Sequence, residues 1–337
     1  MRKQNRILAL MLALLIFTFS LAGCSQNEKV IGTCGTYEIL YEELRFITLT
    51  YKDRLDATYG DKNDENGTIW DDPVTAEKYR KELEDAVWAM LHENYKTLIA
   101  CEGYLLDRED LESDVIQQAV EEQIQATVAE YGSKSAFQKD LAASHMTENL
   151  FRFYLATEEL KYELYYVLTR DLKIVENNES DFYDWLQDGN CVYAQHIFIK
   201  NDEGDSVEEN RAKAQRVRDD IITGKKTFAE YINSATNEDL TNVAPHYIVR
   251  DVNVDELADV ALEMLSVGDV SEIAELEEGF YIFVRVADTP DMLLSQLPTL
   301  FNTYQWVKVA DVVNTFEDKV NIELNEFGSS IDLLKIQ

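Results

Sequence analysis

Val192-Tyr193-Ala194-Gln195-His196-Ile197-Phe198-Ile199-Lys200 marks the point at which the texture of this sequence changes. β-branched and aromatic residues fill the stretch, which is the composition of a strand. After it, Val207 to Thr223 reads as a polar amphipathic helix closed at Gly224, and a second helix begins at Thr227. A strand near His246 to Val249, a helix from Asp255 to Leu265 closed near Gly268, and a terminal strand Phe280 to Val286 complete the run. The order β-α-α-β-α-β over 190–288 predicts a compact α+β domain.

Upstream the spacing is helical. Val30 to Ile39 carries two β-rich pieces around Gly35, a small hairpin, and a helix follows from Leu40 to Tyr59. Asp61 to Pro73 is polar and acidic, a loop. From Ala76, the residues Tyr79, Leu83, Val87, Met90, Leu91, Tyr95 and Leu98 recur at steps of three and four, one stripe on a helix that ends before Gly103. Asp110 to Glu130 repeats the pattern with Leu111, Val115, Ala119, Ile124 and Val128. A short piece at Phe137 to Leu141 and a long helix opened by Thr147 complete a helical domain over 24–185. Tyr154, Tyr162, Tyr165 and Tyr166 are expected to be mainly core, with an exposed subset forming an apolar cradle. Helical spacing returns at 296–323 through Leu297, Leu300, Tyr304, Val307, Val312 and Phe316. That stripe needs a partner, so 292–337 is expected to pack on the N-terminal helices, with the α+β domain inserted between.

Composition narrows the function. The 337 residues hold 31 Lys and Arg against 64 Asp and Glu, a formal net charge of -33. That sign opposes a phosphate backbone, and no basic patch offsets it, so nucleic-acid binding is excluded as a general role. With 46% hydrophobic and 11% aromatic residues the chain can bury cores, and 13 Gly and 4 Pro are few for a loop-rich β fold. Residues 1–23 read as an export signal: Arg2, Lys3 and Arg6 precede an unbroken apolar run from Ile7 to Leu15 that continues to Ala22. The ending Leu21-Ala22-Gly23-Cys24 resembles the lipobox of bacterial lipoproteins, which implies a diacylated Cys24 and a stable anchor at the outer face of a membrane. Of the other cysteines, Cys34, Cys101 and Cys191, an odd number cannot all pair, and their spacing fits no zinc pattern. One Cys34 to Cys101 bridge remains open.

The segment 191–287 resembles a parvulin-type peptidyl-prolyl isomerase domain. Ala194 to Lys200 is similar to the family's opening strand, Gly224-Lys225-Lys226-Thr227-Phe228 to its Gly-x-x-Phe step, Gly268-Asp269-Val270-Ser271 to its Gly-Glu-Val-Ser turn, and Gly279 to Val284 to its closing strand. Gly32-Thr33-Cys34-Gly35 and the helices after it are similar to the N-terminal chaperone domain of the PrsA and SurA foldases. The resemblance implies an α+β (FKBP-like) domain inserted in a helical SurA-N-like one. It also implies site residues: His196 at the first histidine, Glu238 near the Asp or Cys position, Val254 and Leu257 at the Met and Phe of the proline pocket, and Phe280 of the closing strand for substrate. The family's second histidine is Tyr281 here, and Val243-Ala244-Pro245-His246-Tyr247 stands where the family has Gly-Gly-Asp-Leu-Gly.

Prolyl isomerisation makes and breaks no covalent bond, and its barrier of about 18–20 kcal/mol reflects lost amide conjugation. Catalysis therefore needs an apolar seat for the proline ring and polar groups that favour the twisted amide. His196 can serve with Tyr281, whose phenol both donates and accepts a hydrogen bond. No cofactor and no metal is required. The resemblance thus implies an extracytoplasmic, membrane-anchored foldase whose partners are unfolded or newly exported polypeptides, and the acidic balance favours basic client segments. A catalytically inactive parvulin-like chaperone remains an alternative. A solute-binding lipoprotein is disfavoured by the helical opening and the low Gly and Pro. Asp61, Asn63, Glu65 and Asp72 suggest a calcium loop, but Asn66 occupies its glycine position. Cys191 and His196 lie five apart on a strand and so face opposite ways.

Overall fold

The computed structural model describes residues 26–60, 67–176, 178–201, 206–234, 236–237, 244–250, 255–276 and 278–337. Cys24, Glu238, Val254 and most of the acidic loop at 61–66 lie outside them. The chain divides into two compact units: one holds the described residues up to Lys173 together with Ala310–Gln337, the other holds Ile174–Val309.

The first unit opens with strands β1 (Val30–Cys34) and β2 (Tyr37–Leu40), an antiparallel hairpin. Gly35 turns it at φ +57, where a Cβ would run into the Glu102 carboxylate and Ile99. Helix α1 (Tyr41–Tyr59) follows, then α2 (Pro73–Gly103). Asp72 is the N-cap of α2: its carboxylate accepts from the Thr75 backbone N–H at 3.0 Å, so it is spent on helix initiation. The short α3 (Arg108–Leu111) leads to α4 (Asp114–Glu130), α5 (Lys134–Ala143) and α6 (Glu148–Tyr166), the last three capped by Ser113, Ser133 and Thr147. Leu44, Leu83, Val87, Leu91, Leu98, Leu160 and Leu164 are buried at the centre. Two expectations shift. The buried stripe of α4 is Ile116, Val120 and Ile124, and Val115 is 77% exposed, because steps of four select a face one residue further round. Tyr162 and Tyr166 form the exposed subset, and Tyr154 and Tyr165 are half-buried, so none of the four is fully core.

The second unit begins with α7 (Glu179–Gln187), then β3 (Cys191–Lys200), α8 (Val207–Ile222), α9 (Phe228–Ile232), β4 (His246–Val249), α10 (Asp255–Leu262), β5 (Val270–Leu276) and β6 (Gly279–Arg285). Its sheet has the order β4-β3-β6-β5, antiparallel throughout. β5 adds a fourth strand to the three expected from sequence. One sheet face packs Ile197, Ile199, Phe280 and Ile282 on Ala214 and Val217 of α8 and Phe228 and Tyr231 of α9. The other packs Val192, Ala194, Ile248 and Phe283 on Ala258 and Ala261 of α10. Gly279, at φ +152, lies so close to β3 that a Cβ would collide with the Ile199 carbonyl.

Helix α11 (Pro290–Asn314) carries the first part of the C-terminal stripe. Leu300, Tyr304 and Val307 pack on Phe182 and Trp185 of α7 and Val249 of β4. α7 supplies the aromatic rings of Phe182 and Trp185 to this contact, and the sequence reading had no helix there. From Ala310 the chain contributes to the first unit. Phe316 meets the ring of Tyr104 at 5.8 Å, β7 (Ile322–Leu324) pairs with the free edge of β1, and α12 (Glu326–Ser329) follows. Arg80 and Asp332 form an ion pair at 2.9 Å, and Lys52 donates to the carbonyls of Leu334 and Ile336 at 2.9 and 2.7 Å. Cys34 and Cys101 are free buried thiols, so no bridge joins them. Burial pushes the Cys101 thiol up to about 12 and Cys191 up to about 11, which keeps both unreactive. Among the described residues no helix is long and apolar enough to cross a membrane.

Candidate active site

The register of β3 against β6 sets Phe283 opposite His196 and Tyr281 opposite Phe198. Side chains alternate along each strand, so these four share one face of the sheet. The His196 ring lies 5.5 Å from that of Tyr281 and 5.8 Å from that of Phe283, and Phe198 stacks on Tyr281 at 4.5 Å. His196 is only 6% exposed, so its imidazole sits in aromatic surroundings with little water. Leu257 of α10 packs, like Tyr281, against the apolar cluster that contains Phe283. The structure thus sets His196 beside Tyr281, with Leu257 packed against the same apolar cluster as Tyr281.

Phe280 is a correction. It is adjacent to Tyr281 in sequence and therefore points the other way, into the core beneath α8 and α9, where it is fully buried with the Arg211 guanidinium 5.7 Å from its ring. It cannot touch a ligand that reaches His196. Glu238 and Val254 lie outside the described residues.

Sequence reasoning missed His246. It stands on β4 opposite Ala194, diagonal to His196 on the same face, and the two imidazoles meet edge to face with centroids 5.4 Å apart. His246 Nδ1 lies 3.3 Å from the Ala244 carbonyl, which can only accept, so the Nδ1–H donates there and Nε2 is left toward the site. Only the pairing of β4 with β3 reveals this, and pairing is not written in either strand. Two buried polar residues fix the backbone behind the rings. Asn237 accepts from the Phe198 N–H at 3.0 Å and donates to the Ile232 carbonyl at 3.0 Å. Ser271 Oγ accepts from the Phe283 N–H at 2.9 Å, where a bulge between Val270 and Ile273 interrupts the β5–β6 ladder. The cavities described in this unit lie elsewhere: about 270 Å³ beside Cys191, Tyr193 and Tyr247, and about 220 Å³ beside Met264 and Ser271.

An imidazole held among rings on a four-stranded antiparallel sheet, flanked by a second imidazole and a phenol, has the ingredients to hydrogen-bond an amide while excluding water. Residues 196–287 match the family model of the rotamase PPIC-type PPIase domain, so the second unit carries a parvulin-type domain. Over most of its length the chain is similar to PrsA foldases. It is 22% identical to foldase protein PrsA of Clostridium acetobutylicum over 349 residues, 96% of this chain and 98% of that one. To foldase protein PrsA of Clostridium perfringens (strain 13 / Type A) it is 22% identical over 289 residues, 79% of this chain and 78% of that one. Solved structures similar to it include foldase protein PrsA from Streptococcus pneumoniae, with 15% identity, TM-score 0.39, and coverage of 78% of this chain and 94% of that one. Another is PrsA from Bacillus anthracis, with 16% identity, TM-score 0.32, and coverage of 70% and 100%.

Proposed function

We propose that this chain is an extracytoplasmic foldase, anchored through a diacylated Cys24, that isomerises X-Pro bonds at the face carrying His196 and holds unfolded exported polypeptides on its helical unit. The observation that carries the reading is the cluster of His196, His246, Tyr281 and Phe283 on one sheet face, inside the segment that matches a PPIC-type domain. Twisting an X-Pro amide removes its conjugation and leaves a lone pair on the proline nitrogen. A ring N–H of His196 can hydrogen-bond that lone pair only in the twisted form, which is the differential binding that lowers a barrier. The surrounding rings strengthen the bond by excluding water. Tyr281 and Leu257 offer apolar surface to the pyrrolidine ring, and His246 supplies a second imidazole where Tyr281 replaces the family's histidine. Glu238 and Val254 are the remaining candidates for the polar floor and the pocket wall.

A protease-coupled proline-peptide assay of the wild type against His196→Ala tests the enzyme. A wild-type rate well above background that is lost in the variant supports it. Equal rates at background favour a second reading, a catalytically inactive parvulin-like chaperone, to which Tyr281 and the absence of the Gly-Gly-Asp-Leu-Gly segment give weight. Aggregation of an unfolded client with and without the protein tests holding. Membrane fractionation of the wild type and Cys24→Ala tests the anchor: the variant should lose its lipid and its membrane retention.

A further inference from the structure

A cavity of about 440 Å³ lies between α1, α2 and α6, within the range of about 300–1,000 Å³ typical of ligand sites. Phe46, Ile47, Leu98 and Phe153 give it apolar walls. Its charged lining is of one sign: Glu93 and Glu158 contribute, and no Lys or Arg does. Glu93 pairs with Lys96 at 2.7 Å, and Lys161 reaches Glu158 only at 3.5 Å. Behind the wall is a third carboxyl. Asn94 and Tyr154, which line the cavity, donate to Glu43 Oε1 at 3.2 and 3.4 Å, and the Tyr95 hydroxyl donates to Oε2 at 3.0 Å. Glu43 is 2% exposed, and among the described residues no cation pairs with it. The site therefore offers apolar walls and, from Glu93 and Glu158, negative charge to whatever enters it.

The geometry points to this cavity as the seat of one kind of occupant: a segment of unfolded polypeptide that inserts an aromatic or aliphatic side chain between Phe46, Leu98 and Phe153 and sets a neighbouring Lys or Arg against Glu93 and Glu158. This rests on the reading that the helical unit holds clients, and it names where and by what chemistry. The charge complementarity selects the cation. A purely apolar segment makes no use of Glu93 and Glu158, and an acidic segment is repelled by them and by a chain of net charge -33.

The test uses the full chain and two labelled, unstructured peptides that carry Phe, one flanked by Lys and the other by Glu, read by fluorescence anisotropy. Hexylamine serves as a small-amine competitor. The Lys peptide should bind about tenfold or more tightly than the Glu peptide. Thr157→Trp, which fills the cavity, should weaken the Lys peptide by a similar factor. The exposed Glu158→Lys leaves the fold alone, and it should weaken the Lys peptide and strengthen the Glu peptide. Unchanged peptide affinities in both variants, with aggregation still suppressed, would overturn the cavity and leave holding intact. Full displacement of the Lys peptide by dilute hexylamine would overturn the polypeptide occupant in favour of a small amine. A wild type that neither binds peptide nor suppresses aggregation would end the holding reading and this inference with it.

Discussion

At residue scale, the buried carboxyl of Glu43 ties stability to pH. Desolvation raises it from 4.5 to about 7, against the lowering effect of its bonds from Tyr95, Asn94 and Tyr154. The folded protein therefore holds a proton that the unfolded chain releases near 4.5. The stability it confers is complete below 4.5 and is lost as pH rises through about 7, a swing of roughly 3 kcal/mol. Glu43→Gln, which cannot ionise, should melt close to the wild type at pH 5 and clearly above it at pH 8. Parallel melting curves across that range would show that Glu43 titrates alike in both states. His246 yields a second expectation. In the proline-peptide assay His246→Ala should lower kcat/KM by about ten- to a hundredfold with little change in melting, whereas Tyr281→Phe, which keeps the ring, should retain most activity. The reverse pattern would return the second polar role to the Tyr281 hydroxyl.

At the scale of elements, the legible parts were those with a local code. β3 and β4 could be read because β-branched and aromatic residues concentrate there, and α2 because its apolar steps run unbroken from Tyr79 to Leu98. β5 was missed because Val270-Ser271-Glu272-Ile273-Ala274-Glu275-Leu276 alternates imperfectly, which the bulge at Val270 to Ile273 explains. His196 was legible from its strand and motif. Phe280 was misread because a motif names neighbours without their parity, and in a strand neighbours face apart. The strand pairing of greatest sequence separation among the described residues is that of β7, whose three residues pair with Gly32, Thr33 and Cys34 of β1. Deleting 322–337 removes that pairing, the Arg80–Asp332 ion pair and both acceptors of the buried Lys52 ammonium. The first unit should lose at least about 3 kcal/mol, as expected when a buried charge loses its partners. Hydrogen exchange should accelerate in β1 and α1 and stay slow in β3 and β6; equal protection throughout would show that β7 is dispensable.

At the scale of the whole molecule, charge dominates. With 64 acidic against 31 basic residues, repulsion opposes compaction more than the surface ion pairs offset it. Adding salt to about 0.15 M, where the screening length is about 8 Å, should raise the melting temperature. A fall on adding salt would mean that the attractive pairs outweigh the repulsion.

The partnership of β1 and β7 has a bearing on biogenesis. Ribosomes deliver residue 32 long before residue 324, so the small sheet of the first unit stays incomplete while the intervening four-stranded sheet already has all of its strands. The late closure is a contact of extreme sequence separation, the kind that slows refolding from denaturant and leaves an unfinished edge exposed meanwhile. A protein proposed to shepherd others through that vulnerable interval has to pass through a long one of its own.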